Sequence, residues 1–152
     1  MKSYETMRLV TGEDLNHHGT LFAARAAGWF VEAAFGAAAC AYGKNEIVCR
    51  NLHDMSFQKP VRPGTVLKFS SRIVYAGKSS FIVDVSASDA LSGEEAFGGM
   101  ITFVTVDEQT GKKTEHHIVL DEASEEREKQ RREAAKKLYE EIRNGYDRKL
   151  QG

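Results

Sequence analysis

Asn16, His17, His18, Gly19 and Thr20 gather an amide, two imidazoles and a hydroxyl in one short polar turn. The apolar run from Leu21 to Tyr42 follows at once, and within it stand two charges, Arg25 and Glu32. A run of that length with Gly43 placed to end it reads as one long helix. The start of a helix offers unpaired backbone N–H groups and the positive end of a dipole, which suits a developing oxyanion. A carboxylate in an otherwise apolar helix must be paired, protonated or lining a cavity, and it can serve as a base or orient a water. Glu32 lies nine residues beyond Ala23, roughly 13 Å along a helix axis. Both cannot meet one carbonyl in a single chain, so a second copy, antiparallel or obliquely crossed, is the natural source of the carboxylate.

The alternatives for each group stay open. Glu32 either pairs with an arginine or histidine, or acts on a water. Asn16 or Thr20 either caps the helix or joins His17 and His18 in lining a pocket. Arg25 opposes the helix dipole, so it meets a carboxylate, reaches solvent, or contacts a ligand anion. Adjacent histidines point in different directions and no third ligand accompanies them, so a zinc site is not expected.

The elements that position these groups follow from the change in hydrophobic period. The helix is apolar on every side, so other structure should wrap it. A short strand precedes it near Met7–Val10. After it the period becomes two, with strands expected over Glu46–His53, Val66–Tyr75, Phe81–Ala87 and Met100–Val106, and a last short one at His116–Leu120. Leu67, Phe69, Ile73 and Tyr75 should share one face, as should Phe81, Val83, Val85 and Ala87. His53 and Asp54 fall at a strand end on the surface. "KPVRPG" at Lys59–Gly64 is a turn with two prolines, and "AGKSS" at Ala76–Ser80 is a hairpin connection. One helix with one antiparallel sheet is an α+β arrangement, the sheet curling around the helix.

The chain divides at about residue 120. The segment 121–152 is a charged helical tail in which Glu125/Lys129, Glu128/Arg132 and Glu133/Lys137 are favourable i,i+4 pairs. Leu138, Ile142 and Tyr146 form a narrow stripe late in it, so the tail reads as a solvated helix whose only docking face is its last turns. The 152 residues are 41% hydrophobic, enough for a core, and the net charge of −1 excludes a broad basic surface for nucleic acid. Cys40 and Cys49 have no metal spacing and read as buried free thiols, in keeping with a reducing cytoplasm. Arg25 and Glu32, with the many Ala and Gly around them, argue against a membrane span.

Three stretches in order resemble the hotdog-fold acyl-CoA thioesterases, the bacterial and cytosolic acyl-CoA hydrolases. They are "NHHGTLF" (Asn16–Phe22) running into "WFVEAA" (Trp29–Ala34), "FQKPVRPGTVLKFSSRIVYAGKSS" (Phe57–Ser80), and the strand after it with alternating valines. The resemblance covers roughly Met7–Val106 and makes residues 1–120 a hotdog domain. It implies a dimer with two long helices side by side under a continuous sheet, often assembled into a hexamer, a trimer of dimers. It implies active sites between subunits, acyl-CoA as substrate and water as nucleophile, with no metal or cofactor. Asn16, His18, Thr20 and Glu32 are the candidate catalytic residues, and His17, Gly19, Ala23 and Ala24 would hold the substrate carbonyl. Arg62, Gly77, Lys78, Ser79 and Ser80 would hold coenzyme A. The family's Gly-Gly pair falls on Ala23–Ala24, its water-positioning Asn or Asp on Thr20, and its usual catalytic Asp on Val31.

Overall fold

The computed structural model describes residues 1–151. In chain order it holds β1 (Tyr4–Leu9), a single 3-10 turn (Gly12–Asp14), α1 (Ala23–Tyr42), β2 (Ile47–Phe57), β3 (Val66–Ala76), β4 (Ser80–Asp89), β5 (Glu95–Thr105) and α2 (Glu126–Leu150). The strands form one antiparallel sheet in the order β1-β3-β4-β5-β2. Helix α1 lies across its concave face and α2 across the opposite face.

The α1 side holds the main core. Phe30, Phe69, Phe81, Phe97 and Phe103 are each at most 1% exposed, and burying each contributes about 1.5–3 kcal/mol. The alternation over Phe81–Ala87 is as expected, with Phe81, Val83, Val85 and Ala87 inward. Tyr75 departs from the face assigned to it. A register shift between Ile73 and Tyr75 moves it to the outer face, where its ring stacks on Tyr139 of α2 at 4.5 Å. A bulge adds one residue to a strand, so every later side chain changes sides.

Strand β5 begins at Glu95, five residues before the expected Met100, and runs through Gly98 and Gly99. They are glycines for close approach. A Cβ at Gly98 would stand 2.8 Å from Val85 O, and one at Gly99 would stand 2.8 Å from His53 O. His53 and Asp54 correspondingly lie inside β2, not at its end. His53 Nε2 meets Thr102 Oγ1 at 2.7 Å, and burial pushes its pKa down. Asp54 sits in the β2 bulge with φ +48°.

Residues His116–Leu120 do not form the expected strand. Their backbone bonds go elsewhere, His116 N–H to Lys78 O and Ile118 N–H to the His116 ring. The tail helix docks mainly by its first half, with Tyr146 of the expected stripe still meeting Arg50 of β2 through its hydroxyl. Arg131 pairs with Asp84 at 2.6 Å, Arg127 with Glu95 at 2.8 Å, and Glu128 with Arg72 at 2.9 Å. Ala135, Leu138 and Tyr139 then cover Val74, Ile82 and Met100, whereas Tyr146 and Leu150 are exposed. Counting apolar residues missed this, because the outer face of β3 and β4 carries its own charges for the helix to pair with.

Helix α1 is not wrapped on every side. Ala26, Trp29, Phe30, Ala33, Ala34, Ala37 and Ala38 are buried, whereas Ala24, Gly28, Glu32 and Gly36 are exposed. The cysteines are free and exposed, contrary to the expected burial. Cys40 lies on the exposed side of the last turns of α1, and Cys49 on the edge strand β2. That edge also exposes Val48, Leu52 and Phe57 at about half their surface. An apolar edge strand of this length is a template for pairing with another strand.

Candidate active site

The turn before α1 is built by Asn16. Its Oδ1 accepts from His18 N–H at 2.9 Å and Thr20 N–H at 3.2 Å, and its Nδ2 donates to Thr20 Oγ1 at 3.2 Å. A short bridge between Leu15 and Leu21 closes the loop. Asn16 and Thr20 therefore satisfy the loop and each other, and neither caps the helix. The N-cap is Phe22, which has no side-chain bond to give. The N–H groups of Ala23, Ala24 and Arg25 consequently have no partner among the described residues.

Arg25 in that first turn is offset within the chain. Its Nε lies 3.4 Å from Oδ1 of Asp14, a residue 9% exposed. Asp14 also accepts from Thr11 N–H at 2.9 Å and from the Thr11 hydroxyl at 3.0 Å. The Thr11 N–H bond is the main reason its carboxyl is held below the usual range. Of the alternatives for Arg25, the carboxylate partner is the one observed.

Two openings flank the helix start. One is a mainly apolar pouch of 230 Å³ among Asn16, Ala23, Ala26, Phe57, Val61 and Phe97. The other is a groove of 390 Å³ that runs along α1 from Ala24 and Arg25 past Gly28 to Glu32. Gly28 has no side chain to interrupt it. His17 and His18 stand exposed beside the turn, their rings 3.9 Å apart.

Glu32 is not sealed in the core. Its side chain is 65% exposed and forms an ion pair with Arg8 of β1, whose guanidinium also lies over the Trp29 ring at 5.4 Å. Val31, one residue earlier, is partly buried against the core. One step turns the helix by about 100°, so the two positions look in different directions.

The coenzyme A candidates divide between opposite ends of the sheet. Arg62 precedes β3, whereas Gly77–Ser80 follows it, and a strand of eleven residues separates them by roughly 36 Å. The helix start lies at the Arg62 end, where Leu21 N–H bonds Val61 O at 2.8 Å. The far end of α1 leads into β2, and Ile47 of β2 pairs with Thr105, whose N–H bonds Ser79 O. The helix start and the Gly77–Ser80 turn are thus about one helix length, roughly 30 Å, apart. No group of His, Cys, Asp and Glu among the described residues has the arrangement of a metal site.

Arg8 and Asp14 were not singled out in the sequence, although Thr11-x-x-Asp14 has capping-box spacing. Arg8 has no local signal, since its pairing with Glu32 depends on how β1 lies beside α1.

An antiparallel five-stranded sheet curled around one long helix is the hotdog fold. The family model of the thioesterase superfamily matches residues 18–96, more than half of the chain, and the chain belongs to that superfamily. It is similar to an acyl-CoA hydrolase from Staphylococcus aureus solved with butyryl coenzyme A, coenzyme A and coenzyme A disulfide. The identity is 25% and the TM-score 0.81, covering 98% of this chain and 91% of that one. An apo-hexameric acyl-CoA thioesterase is 25% identical with a TM-score of 0.80, covering 95% and 92%. An acyl-CoA hydrolase from Bacillus cereus shares the fold at 24% identity and a TM-score of 0.80, covering 98% and 92%. No curated protein matches the chain. Among the described residues no helix is long and apolar enough to cross a membrane.

Proposed function

We propose that the protein is an acyl-CoA thioesterase that hydrolyses an acyl-CoA to the free acid and coenzyme A at sites shared by two subunits. The observation that carries this is the separation of the two halves of the site. Free N–H groups and an apolar pouch lie at one end of the chain, and the basic turn Gly77–Ser80 lies about 30 Å away. Two chains with antiparallel helices bring the helix start of one beside the Gly77–Ser80 turn of the other. A partner helix displaced by about five residues, roughly 7 Å, from full overlap carries its Glu32 across the exposed Gly28, within about one helical turn, or 6 Å, of Ala24. Ala24 and Gly28 leave room for that approach, and the open edge of β2 supplies strand pairing.

The reaction then needs three contributions. The N–H groups of Ala23 and Ala24 donate hydrogen bonds to the thioester oxygen as charge develops on it. Glu32 of the partner subunit orients a water and takes its proton. Coenzyme A leaves along the partner's Gly77–Ser80 turn. Asn16 fixes the loop that starts the helix, with Gly19, Thr20, His17 and His18 lining the entrance. The Staphylococcus aureus hydrolase is represented by single aspartate, threonine and asparagine replacements as well, side-chain types that hold or orient water. The experiment is the release of free thiol from a panel of acyl-CoA esters by the pure protein.

Shared sites require association. Light scattering at micromolar concentration should give a dimer or a multiple of one, and a stable monomer would end the shared-site reading. The turn should also grip a phosphate. Lys78→Ala should weaken acyl-CoA binding, and wild-type binding should weaken with added salt. Lys78 is 81% exposed, so its removal should leave the fold intact. Unchanged affinity by calorimetry would take Lys78 out of the site.

A second reading is a hotdog protein that binds acyl-CoA without cleaving it. The ion pair between Glu32 and Arg8 within one chain favours it, since a carboxylate held there is not free to act. Thiol release at background rate, with acyl-CoA still bound, is what that reading expects.

A further inference from the structure

The turn joining β3 to β4 faces its carbonyl oxygens into the protein. Lys78 O accepts from His116 N–H at 3.2 Å, Ser79 O from Thr105 N–H at 2.9 Å, and Ser80 O from Gly77 N–H at 2.7 Å. Ser80 O has a second donor, the His116 ring through Nε2 at 3.0 Å. The C=O of Lys78 and the N–H of Ser79 belong to one trans peptide and point in opposite directions. Fixing that oxygen inward turns the Ser79 N–H outward. The N–H groups of Lys78 and Ser79 have no partner among the described residues. Outward N–H groups beside a lysine make an anion-binding concavity.

His116 is placed to enforce this. It is 6% exposed, with its ring edge-on to Phe81 at 5.4 Å. Its Nδ1 accepts from Ile118 N–H at 2.9 Å. A backbone N–H only donates and a carbonyl only accepts. The ring is therefore the Nε2–H tautomer, with both nitrogens in use. Neither bond touches the helix start or Glu32.

We propose that His116 is a positioning residue for coenzyme A: it locks the Gly77–Ser80 turn with its carbonyls inward, so that the turn presents N–H groups and the Lys78 ammonium to a phosphate. This rests on the reading above that the turn meets coenzyme A. His116 touches no substrate; its ring acts on the turn through Ser80 O, while its backbone N–H, which both replacements below keep, holds Lys78 O.

Two replacements divide the functions of the ring. His116→Asn keeps a short acceptor for Ile118 N–H but cannot reach Ser80 O. His116→Gln keeps a donor long enough for Ser80 O. Coenzyme A affinity by calorimetry, and KM and kcat with an acyl-CoA and with the matching acyl-pantetheine, are the measurements, on variants checked by thermal melting. In His116→Asn the Kd for coenzyme A and the KM for acyl-CoA should rise about three- to tenfold, roughly the effect of one hydrogen bond. The kcat should hold, and so should the KM for acyl-pantetheine, which has no nucleotide phosphates. His116→Gln should stay within about twofold of wild type.

Equal defects in both folded variants, or a rise in KM for acyl-pantetheine as large as for acyl-CoA, would reduce His116 to packing and overturn the proposal. If His116→Asn does not fold, a folded His116→Gln with weakened coenzyme A affinity overturns it alone. Lys78→Ala separates this from failure of the underlying reading. No change there removes the turn from the coenzyme A site, whereas a change there with none in His116→Asn removes only His116.

Discussion

Ala23→Pro should lower acyl-CoA turnover by about 10²–10³-fold, the usual effect of losing one oxyanion donor, with little loss of stability. Side-chain replacement cannot remove a backbone N–H, but proline can. The position tolerates it for two reasons. Ala23 is the first residue of α1, where the N–H has no intrahelical acceptor and proline is favoured. Proline also requires an extended residue before it, and Phe22 already has φ −67° and ψ 128°. Substrate binding should change little, because the donor acts mainly on charge that appears in the transition state. A variant that melts like wild type and keeps its kcat would show that the Ala23 N–H does not serve the carbonyl. Ala24→Pro is a poorer probe, since it would force the helical Ala23 out of its conformation.

How far the sequence revealed this arrangement can be judged residue by residue. Long periodic runs were legible. The helix from the apolar run and Gly43, and the inward set Phe81, Val83, Val85 and Ala87, follow from periods that local sequence carries. The start of β5 was not legible, because Gly98 and Gly99 add nothing to an apolar period although the close approach of neighbouring backbone keeps them inside the strand. Tyr75 was put on the wrong face because one inserted residue inverts the alternation and leaves no mark on composition. The tail was expected to dock by its apolar stripe, yet Arg127, Glu128 and Arg131 found partners on β3, β4 and β5 that only the folded sheet brings into reach. The site shows the same division. The polar turn and the charges at Arg25 and Glu32 stood out against an apolar helix. Their partners Asp14 and Arg8 did not, because each pairing spans a loop or a sheet. His116 carried no motif, since the carbonyl its Nε2 meets, Ser80 O, is close to it only in space.

Glu32→Gln should lower hydrolysis by about 10²–10⁴-fold while acyl-CoA still binds. Glutamine keeps the shape of the side chain and removes the base. It also breaks the ion pair with Arg8, and both side chains are substantially exposed, 46% for Arg8 and 65% for Glu32. An exposed pair contributes little to stability, so a large loss of rate would not be a loss of fold. Arg8→Ala is the control. If Arg8 merely neutralises Glu32, its removal frees the carboxylate and activity should be kept or rise. The neighbouring position asks the complementary question. Val31→Asp puts a carboxylate where the family's usual aspartate falls, on a side of the helix about 100° from Glu32. In a chain that has lost its chemistry, wild type should sit near background and Val31→Asp should raise the rate. In a chain where Glu32 has taken the role over, a second carboxylate close by raises one pKa of the pair and should help little or harm. Robust wild-type hydrolysis that survives Glu32→Gln would defeat the assignment of Glu32. The water would then have to be held at the helix start itself, where Asn16, His17, His18 and Thr20 are the polar side chains in place to do it.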